Sequence, residues 1–186
     1  MADCASGFDD ARALAALSQA CAPGDLITDA EERAFHAADV AGTGAVPLAV
    51  IRPRSVAGLS AALAAAHAEG LAVHPRGGAM SYTDAFLPQH ARSIVVDTSG
   101  LDRIVKIDPV NLFATVEAGV TWAQLDAALA PHGLRARFWG PMSGGTATVG
   151  GGVSHGAITF GSGEDGSPGS ALLGLKLVLA PVSLLQ

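Results

Sequence analysis

The spacing of apolar and polar residues predicts a chain of short strands and short helices. An apolar run at Leu48–Ile51 precedes an Ala/Leu-rich helix over Val56–Glu69, and a second apolar run follows at Leu71–His74. Ser55 is the expected N-cap of this helix, and Gly70 is its expected end. This order predicts a strand–helix–strand unit with parallel strands, in which ligands bind beyond the carboxyl ends of the strands.

The middle of the chain carries a second set of short segments. Ser93–Asp97 predicts a buried strand, and Ile104–Ile107 together with Phe113–Glu117 predicts a hairpin. Thr121 and Gln124 have the spacing of a capping box, which predicts a helix that runs to about residue 131. The hairpin and this helix therefore follow the parallel unit along the chain.

The N-terminal region is predicted to be helical. Asp10–Cys21 has Ala and Leu at helical intervals and is followed by the helix breakers Pro23 and Gly24, so we expect a peripheral helix that covers the domain. We therefore divide the chain into an N-terminal helical extension, residues 1–44, and a single α+β domain, residues 45–186.

The C-terminal part of this domain is rich in glycine. Apolar runs at Leu134–Phe138 and Leu172–Leu179 predict two further strands. Between them, residues 140–169 carry so many glycines that a loop-and-strand region is expected. The charge-free stretch at residues 138–163 is interrupted by the same glycines, and it is therefore not expected to form a spanning helix.

Composition and charge exclude several classes of function. The chain has 186 residues, of which 49% are hydrophobic and 15% charged, so a packed core is expected rather than disorder. A formal charge of −6 without a Lys or Arg cluster argues against a nucleic-acid or anionic-membrane partner. Cys4 and Cys21 lack companions at metal-ligand spacing, and the acidic N-terminus lacks the features of a secretory signal. We therefore expect free thiols, no metal site and a cytoplasmic location.

Two glycine-rich segments carry the candidate chemistry. The first, Arg76–Tyr82, follows the second parallel strand, where backbone N–H groups can converge on a phosphate or pyrophosphate. Arg76 is expected at the rim of this loop as a matching positive charge. Alternatively, the loop is an ordinary turn with a surface arginine, and Gly144–Gly145 and Gly150–Gly152 of the second segment serve tight strand packing or form a flexible flap.

In order and spacing, these segments resemble the FAD-binding domain of the flavin oxidoreductases related to vanillyl-alcohol oxidase, the PCMH-type fold. The resemblance covers about Ala45 to Ala180. Its motifs, in chain order, are Ala49–Ser55, Arg76–Tyr82, Val95–Asp97, Val116–Val120, Ala147–Gly152 and Leu172–Ala180. Neither the Gly-x-Gly-x-x-Gly fingerprint of nicotinamide enzymes nor a P-loop Gly-Lys-Ser/Thr occurs at the required place.

The resemblance implies an α+β fold of two small α/β subdomains with FAD extended between them. The pyrophosphate would lie on Arg76–Tyr82, and the isoalloxazine ring would approach residues 141–155, where glycines let the backbone donate toward the flavin. The implied cofactor-binding residues are Arg76, Gly77, Gly78, Ala79, Met80, Ser81, Tyr82, Pro141, Gly145, Thr148, Gly150, Gly151, Ser154 and His155.

The resemblance also bears on how the cofactor is held. In some members a histidine at the place of Met80 bonds covalently to the flavin, and others add a cysteine in the second segment. Neither residue is present at these places, so noncovalent FAD is expected unless His155 or another histidine has taken the role. His155 either contacts the flavin or substrate, or is solvated or caps the backbone.

Other side chains leave the catalytic base unassigned. Trp139 and Tyr82 either border the flavin ring or are buried in the core, which is the commoner use of a large aromatic residue. Asp84, Glu164 and Asp165 have no recognisable pairing that would mark a general base, and they are expected to be exposed.

The family usually continues beyond a strand like Leu175–Ala180 with Asp-Gly, further strands and a cap domain that binds substrate. Here Pro181–Gln186 follows, so we expect an incomplete second subdomain and no cap domain. The resemblance implies the FAD-binding portion of an oxidoreductase that oxidises a hydroxy acid or alcohol by hydride transfer to flavin N5. The alternatives are a noncatalytic flavin-binding or assembly module that needs a separate cap subunit, and an inactive fragment.

Overall fold

The computed structural model describes residues 9–139, 144–156 and 158–179, together with the backbone of residues 183–185. The helices are α1 (Asp10–Ala20), α2 (Ala30–His36), α3 (Val56–Ala68), α4 (Trp122–Leu129), α5 (Val149–His155) and α6 (Ser162–Asp165). The strands are β1 (Leu26–Ile27), β2 (Ala49–Ile51), β3 (Ala72–Arg76), β4 (Ser93–Asp97), β5 (Ile104–Asp108), β6 (Phe113–Val116), β7 (Leu177–Leu179) and β8 (Ser183–Leu185). This is the predicted α+β organisation.

The first sheet contains the predicted parallel unit. Its strand order is β1-β2-β4-β3, in which β2 and β3 run parallel to β4, and β1 pairs antiparallel with β2. Helix α3 connects β2 to β3, and Ser55 caps it by accepting a hydrogen bond from the Gly58 N–H. The carboxyl ends of the three parallel strands therefore meet at one edge, which ends in Ile51, Arg76 and Asp97.

The core of this first subdomain includes the N-terminal helix. Ala13 and Leu17 of α1 and Ala62 and Ala66 of α3 are fully buried in one cluster that also contains Ile94 of β4. Helix α1 covers this core from the outside, as expected: its alanines let it approach α3 closely, and only Ala13 and Leu17 of the helix are buried. Residues that precede the boundary at position 45 thus form part of the first subdomain's core.

The second core is built around the hairpin and α4. Strands β5 and β6 pair antiparallel, and the capping box of α4 is formed by Thr121 and Gln124 as predicted. Trp122, Leu125 and Leu129 on one face of α4 are buried with residues from neighbouring segments. Two separate cores confirm two small α/β subdomains.

Three predicted features of the C-terminal part differ from the structure. Leu134–Phe138, which lies wholly within the described residues, is irregular, because its apolar side chains pack on the second core without a partner strand. The glycines at 150–152 belong to α5, which forms despite them because the Thr148 hydroxyl accepts a hydrogen bond from the Gly151 N–H. Of the predicted strand at residues 172–179, only β7 is formed, and it pairs antiparallel with β8.

The segment around β7 carries apolar side chains on its surface. Leu173, Leu175, Leu177 and Leu179 alternate along the chain and are exposed. No helix in the described part of the chain is long and apolar enough to cross a membrane.

Candidate functional site

The first glycine-rich segment leaves the sheet where β3 ends. Arg76 is still in register with Asp97 of β4, and the chain then turns away from the sheet. Within the described residues, the backbone N–H groups of Gly78, Ala79, Met80 and Ser81 have no hydrogen-bond partner. Ala79 has a φ of +55°, a left-handed conformation that costs a non-glycine residue about 1 kcal/mol. The loop therefore offers several unpaired donors on a strained backbone.

The second glycine-rich segment lies directly against this loop. A Cβ atom on Gly77 would come within 2.6 Å of the Thr148 hydroxyl oxygen. A Cβ atom on Gly78 would collide with the carbonyl oxygen of Thr146. Both glycines are thus required for the close approach of two segments that are some 70 residues apart in the chain.

Three amides at the start of α5 in the second segment donate within the chain. The Val149 N–H donates to the Val120 carbonyl at 2.8 Å, and the Gly150 N–H donates to the Ala118 carbonyl at 3.0 Å. The Gly151 N–H donates to the Thr148 hydroxyl at 3.1 Å. A Cβ atom on Gly150 would also lie 2.7 Å from the Cβ atom of Ala118. At Gly150 the alternative of tight packing applies, and these amides are not free to donate to a flavin.

Arg76 is buried rather than placed at the rim of the loop. Its side chain donates from Nη1 to the carbonyls of His36 at 3.1 Å and of Ala38 at 2.6 Å. Its guanidinium carbon lies 5.4 Å from the ring centre of Phe35 and 5.2 Å from that of Phe86. The expectation of a free rim charge is wrong, because carbonyls at the C-terminal end of α2 attract the guanidinium.

A buried charge cluster lies beside Arg76 at the same sheet edge. Asp97 accepts a hydrogen bond from Arg52 Nε at 2.6 Å and lies 3.3 Å from Nε2 of His36. Burial alone would raise the pKa of Asp97, but hydrogen bonds from His36, Ser99 and Arg52 outweigh it and hold this pKa well below its ordinary value. In the sequence, Asp97 stands out only as the end of the motif Val95–Asp97, and no local pattern marks His36.

A shallow cleft separates the loop from the end of α2. Its volume is about 280 Å³, and it is lined by Phe35, Ala38, Asp39, Val40, Arg76, Gly78 and Ala79. Asp39 is favoured as a carboxylate, because hydrogen bonds from the N–H groups of Gly42 and Ala41 outweigh the effect of burial and lower its pKa. The turn signal Asp39-x-x-Gly42 is visible in the sequence, but only the fold brings it to the loop.

The other residues of the first segment have different surroundings. Met80 packs against the second core, so its side chain serves packing. The Ser81 hydroxyl lies 2.8 Å from the Thr83 hydroxyl. Tyr82 is 55% exposed, which rules out the expected core role for this ring.

The predicted residues of the second segment are not all brought together. Thr148 lies against Gly77 of the first loop, and Gly145 is exposed. Ser154 and His155 are exposed at the other end of α5, about 10 Å from Thr148 by the rise of a helix. Pro141 lies outside the described residues.

The described residues also include Trp139 and the three acidic candidate residues. Trp139 is 36% exposed, and its ring lies over Gly144. Of the two alternatives for this residue, burial in the core is therefore the wrong one. Asp84 and Glu164 are exposed, as predicted, whereas Asp165 is half-buried and lies 3.3 Å from Arg137 Nε.

Parts of this chain are similar in sequence to two dehydrogenases. A D-2-hydroxyglutarate dehydrogenase of Escherichia coli is 35% identical over 84% of this chain, which corresponds to 15% of that protein. A mitochondrial cytochrome D-lactate dehydrogenase of Saccharomyces cerevisiae is 32% identical over 59% of this chain and 18% of its own length. The chain therefore spans less than a fifth of these two relatives.

A solved structure and a family model match over longer parts of the chain. An alkyldihydroxyacetonephosphate synthase superposes with a TM-score of 0.85 at 18% identity, over 95% of this chain and 38% of its own. At that identity the likeness concerns the fold alone. The family model described as FAD binding domain matches residues 47–184. The chain belongs to the FAD binding domain family, with the PCMH-type fold that its motifs resemble.

Proposed function

We propose that this chain binds FAD noncovalently, with the pyrophosphate on the backbone N–H groups of Gly78–Ser81. The observation that carries the proposal is that these four amides have no partner within the described residues, although they lie at the carboxyl edge of a parallel sheet. Pyrophosphate oxygens are strong acceptors and would satisfy such donors without a metal ion. The residues present therefore fit a dinucleotide cofactor.

Noncovalent attachment is supported by the surroundings of Met80. Its thioether packs against the second core and is a poor nucleophile toward a flavin. His155, the alternative that the sequence leaves open, lies at the far end of α5 from the loop contact. The remaining predicted contacts for the flavin end stay predictions: Pro141, Gly145, Thr148, Gly150, Gly151, Ser154 and His155. At Gly150 and Gly151 a contact would not use the backbone N–H groups, because these already donate within the chain.

The activity that we propose is that of the FAD-binding portion of an oxidoreductase acting on a hydroxy acid or alcohol. The names of the two dehydrogenase relatives support this class of substrate. When bound, the flavin supplies a hydride acceptor at its N5 atom. The protein's part would be to hold the pyrophosphate on the loop amides and so fix the position of the ring. A cytoplasmic location is proposed from the cysteine usage alone.

A second candidate is a noncatalytic flavin-binding or assembly module that needs a separate cap subunit. The exposed leucines at positions 173, 175, 177 and 179 favour it, because a row of apolar side chains on one face commonly marks an interaction surface. Activity of the purified chain without any other polypeptide would exclude this candidate. Flavin binding without turnover would favour it.

The test of the proposed site is the visible spectrum of the desalted protein, followed by titration with FAD while its fluorescence is recorded. We expect saturable quenching and flavin that is released by acid precipitation. The Gly78→Ala variant should lose this binding, because its Cβ atom would push Thr146 away from the loop. The matched control is Gly174→Ala, where a Cβ atom meets open space. A colourless protein that leaves FAD fluorescence unchanged would overturn the proposal and favour the inactive fragment.

A further inference from the structure

We propose that Arg76 is a positioning residue for the cofactor loop and does not itself contact the pyrophosphate. In this role it ties the segment His36–Ala38 to the start of the loop at Gly77. The inference rests on the proposed FAD site at Gly78–Ser81. It also makes a segment upstream of the family match at residues 47–184 part of the cofactor site.

The geometry of the guanidinium carries this inference. One nitrogen, Nη1, donates to two carbonyls, those of His36 and Ala38. The planar group is held between the rings of Phe35 and Phe86, and Arg76 is only 7% exposed. Both N–H groups of Nη1 are thereby engaged by protein carbonyls, and an anion at Nη1 would have to displace them.

The segment that Arg76 holds is itself anchored to the sheet. His36 is buried, and its Nδ1 donates to the Glu32 carbonyl at 2.8 Å, because a carbonyl can only accept. Its other ring nitrogen lies 3.3 Å from Asp97, which is the register partner of Arg76. The end of α2, the ends of β3 and β4 and the first residue of the loop are thus joined in one buried network.

The consequence for the loop is steric. Ala79 and Gly78 line the cleft whose opposite wall is Phe35 and Ala38. If Arg76 released these residues, the wall and the loop could separate, and Ala79 could relax from its left-handed conformation. The unpaired amides of Gly78 and Ala79, which line the cleft, would then be displaced.

A direct contact and a positioning role predict different responses to charge and to salt. Lysine keeps the positive charge but lacks the planar fork that stacks between rings and donates to two carbonyls. If Arg76 contacted the pyrophosphate, Arg76→Lys would restore much of the binding that Arg76→Met loses. Removal of a charge that contacts the ligand would also reduce the salt dependence of the FAD affinity.

The experiment measures the FAD dissociation constant of wild type, Arg76→Lys and Arg76→Met by fluorescence quenching, between about 50 mM and about 500 mM salt. We expect both variants to bind roughly tenfold more weakly, the size of a lost hydrogen bond to a charged group. The dependence of affinity on salt should match that of wild type. Arg12→Met is the control, because it removes an exposed charge remote from the loop.

A second variant tests the same role without a substitution at position 76, in case the Arg76 variants do not fold. Phe35→Ala removes one face of the stack at a side chain that is 67% exposed, so the fold should persist, and FAD binding should weaken about threefold. Thermal unfolding of each variant without FAD provides the folding control. Rescue by lysine, or a reduced salt dependence in Arg76→Met, would overturn the positioning role. Unchanged affinity in all three variants would also overturn it, whereas a wild type that binds no FAD would overturn the proposed site first.

Discussion

In the first glycine-rich segment, the amides of Gly78–Ser81 have no partner within the described residues, whereas in the second, those of Val149–Gly151 all donate to the chain itself. The glycines also differ in what they allow. Gly77 and Gly78 let two distant segments touch, and Gly150 lets α5 approach Ala118. Of these two sets of amides, only those of Gly78–Ser81 have no partner within the described residues and stay available for a ligand. A high glycine content therefore marks close packing, and the unpaired amides mark the candidate binding site.

The largest expected effect on stability and FAD binding comes from substitution of Gly78 in the first segment. In Gly78→Val, the side chain would overlap the backbone of Thr146, which cannot move away as a flexible side chain could. We expect a loss of more than about 3 kcal/mol in unfolding free energy and no measurable FAD binding. Urea denaturation and FAD titration measure the two effects. Wild-type behaviour of this variant would show that the two segments do not meet as described.

Asp97→Asn tests the network that holds the first loop, and we expect a loss of about 2 to 3 kcal/mol, since His36 and Arg52 would lose a buried charged partner. The folded-state pKa of Asp97 lies below its ordinary value of 3.8, so its stabilisation is complete above that pH. It is lost as the pH falls through the folded-state pKa. Urea denaturation over a pH series should therefore show a weaker acid dependence in Asp97→Asn, and an unchanged acid dependence would contradict the network.

Gly150→Ala tests whether Gly150 serves packing or FAD binding. The added methyl group would meet Ala118, so we expect a loss of about 1 to 2 kcal/mol. The FAD affinity of the folded fraction should be unchanged, because the Gly150 amide already donates to Ala118. Gly163→Ala, where a Cβ atom meets open space, is the matched control. Selective loss of FAD affinity in folded Gly150→Ala would give the second segment a binding role.

The smallest effect is expected for Ala79→Gly. Glycine adopts the positive φ of this position without strain, but it also adds freedom to the unfolded chain. We expect a net gain of about 0.5 kcal/mol in unfolding free energy and little change in FAD affinity. Thermal unfolding and FAD titration of the same preparation measure both quantities. Marked weakening of FAD binding would show that the alanine methyl group itself shapes the site.

Local sequence patterns predicted those elements whose stabilising interactions join residues close together in the chain. The cap of α3 by Ser55, the capping box at Thr121 and the hairpin of β5 and β6 depend on residues a few positions apart, and all were predicted. The pattern at Leu134–Phe138 was misleading. Its apolar alternation satisfies the second core without a neighbouring strand, and a sequence does not show whether such a strand is available.

By itself, the sequence determined the α+β class, the parallel unit and the motifs that led to the FAD binding domain family. Only the tertiary structure decided that α1 belongs to the core, that the two glycine-rich segments touch and that Arg76 is turned inward to the carbonyls of residues 36 and 38. The physical reason is the distance along the chain over which each interaction acts. Capping and periodicity act within a few residues, whereas the partner of a buried charge and the direction of a free amide depend on distant segments.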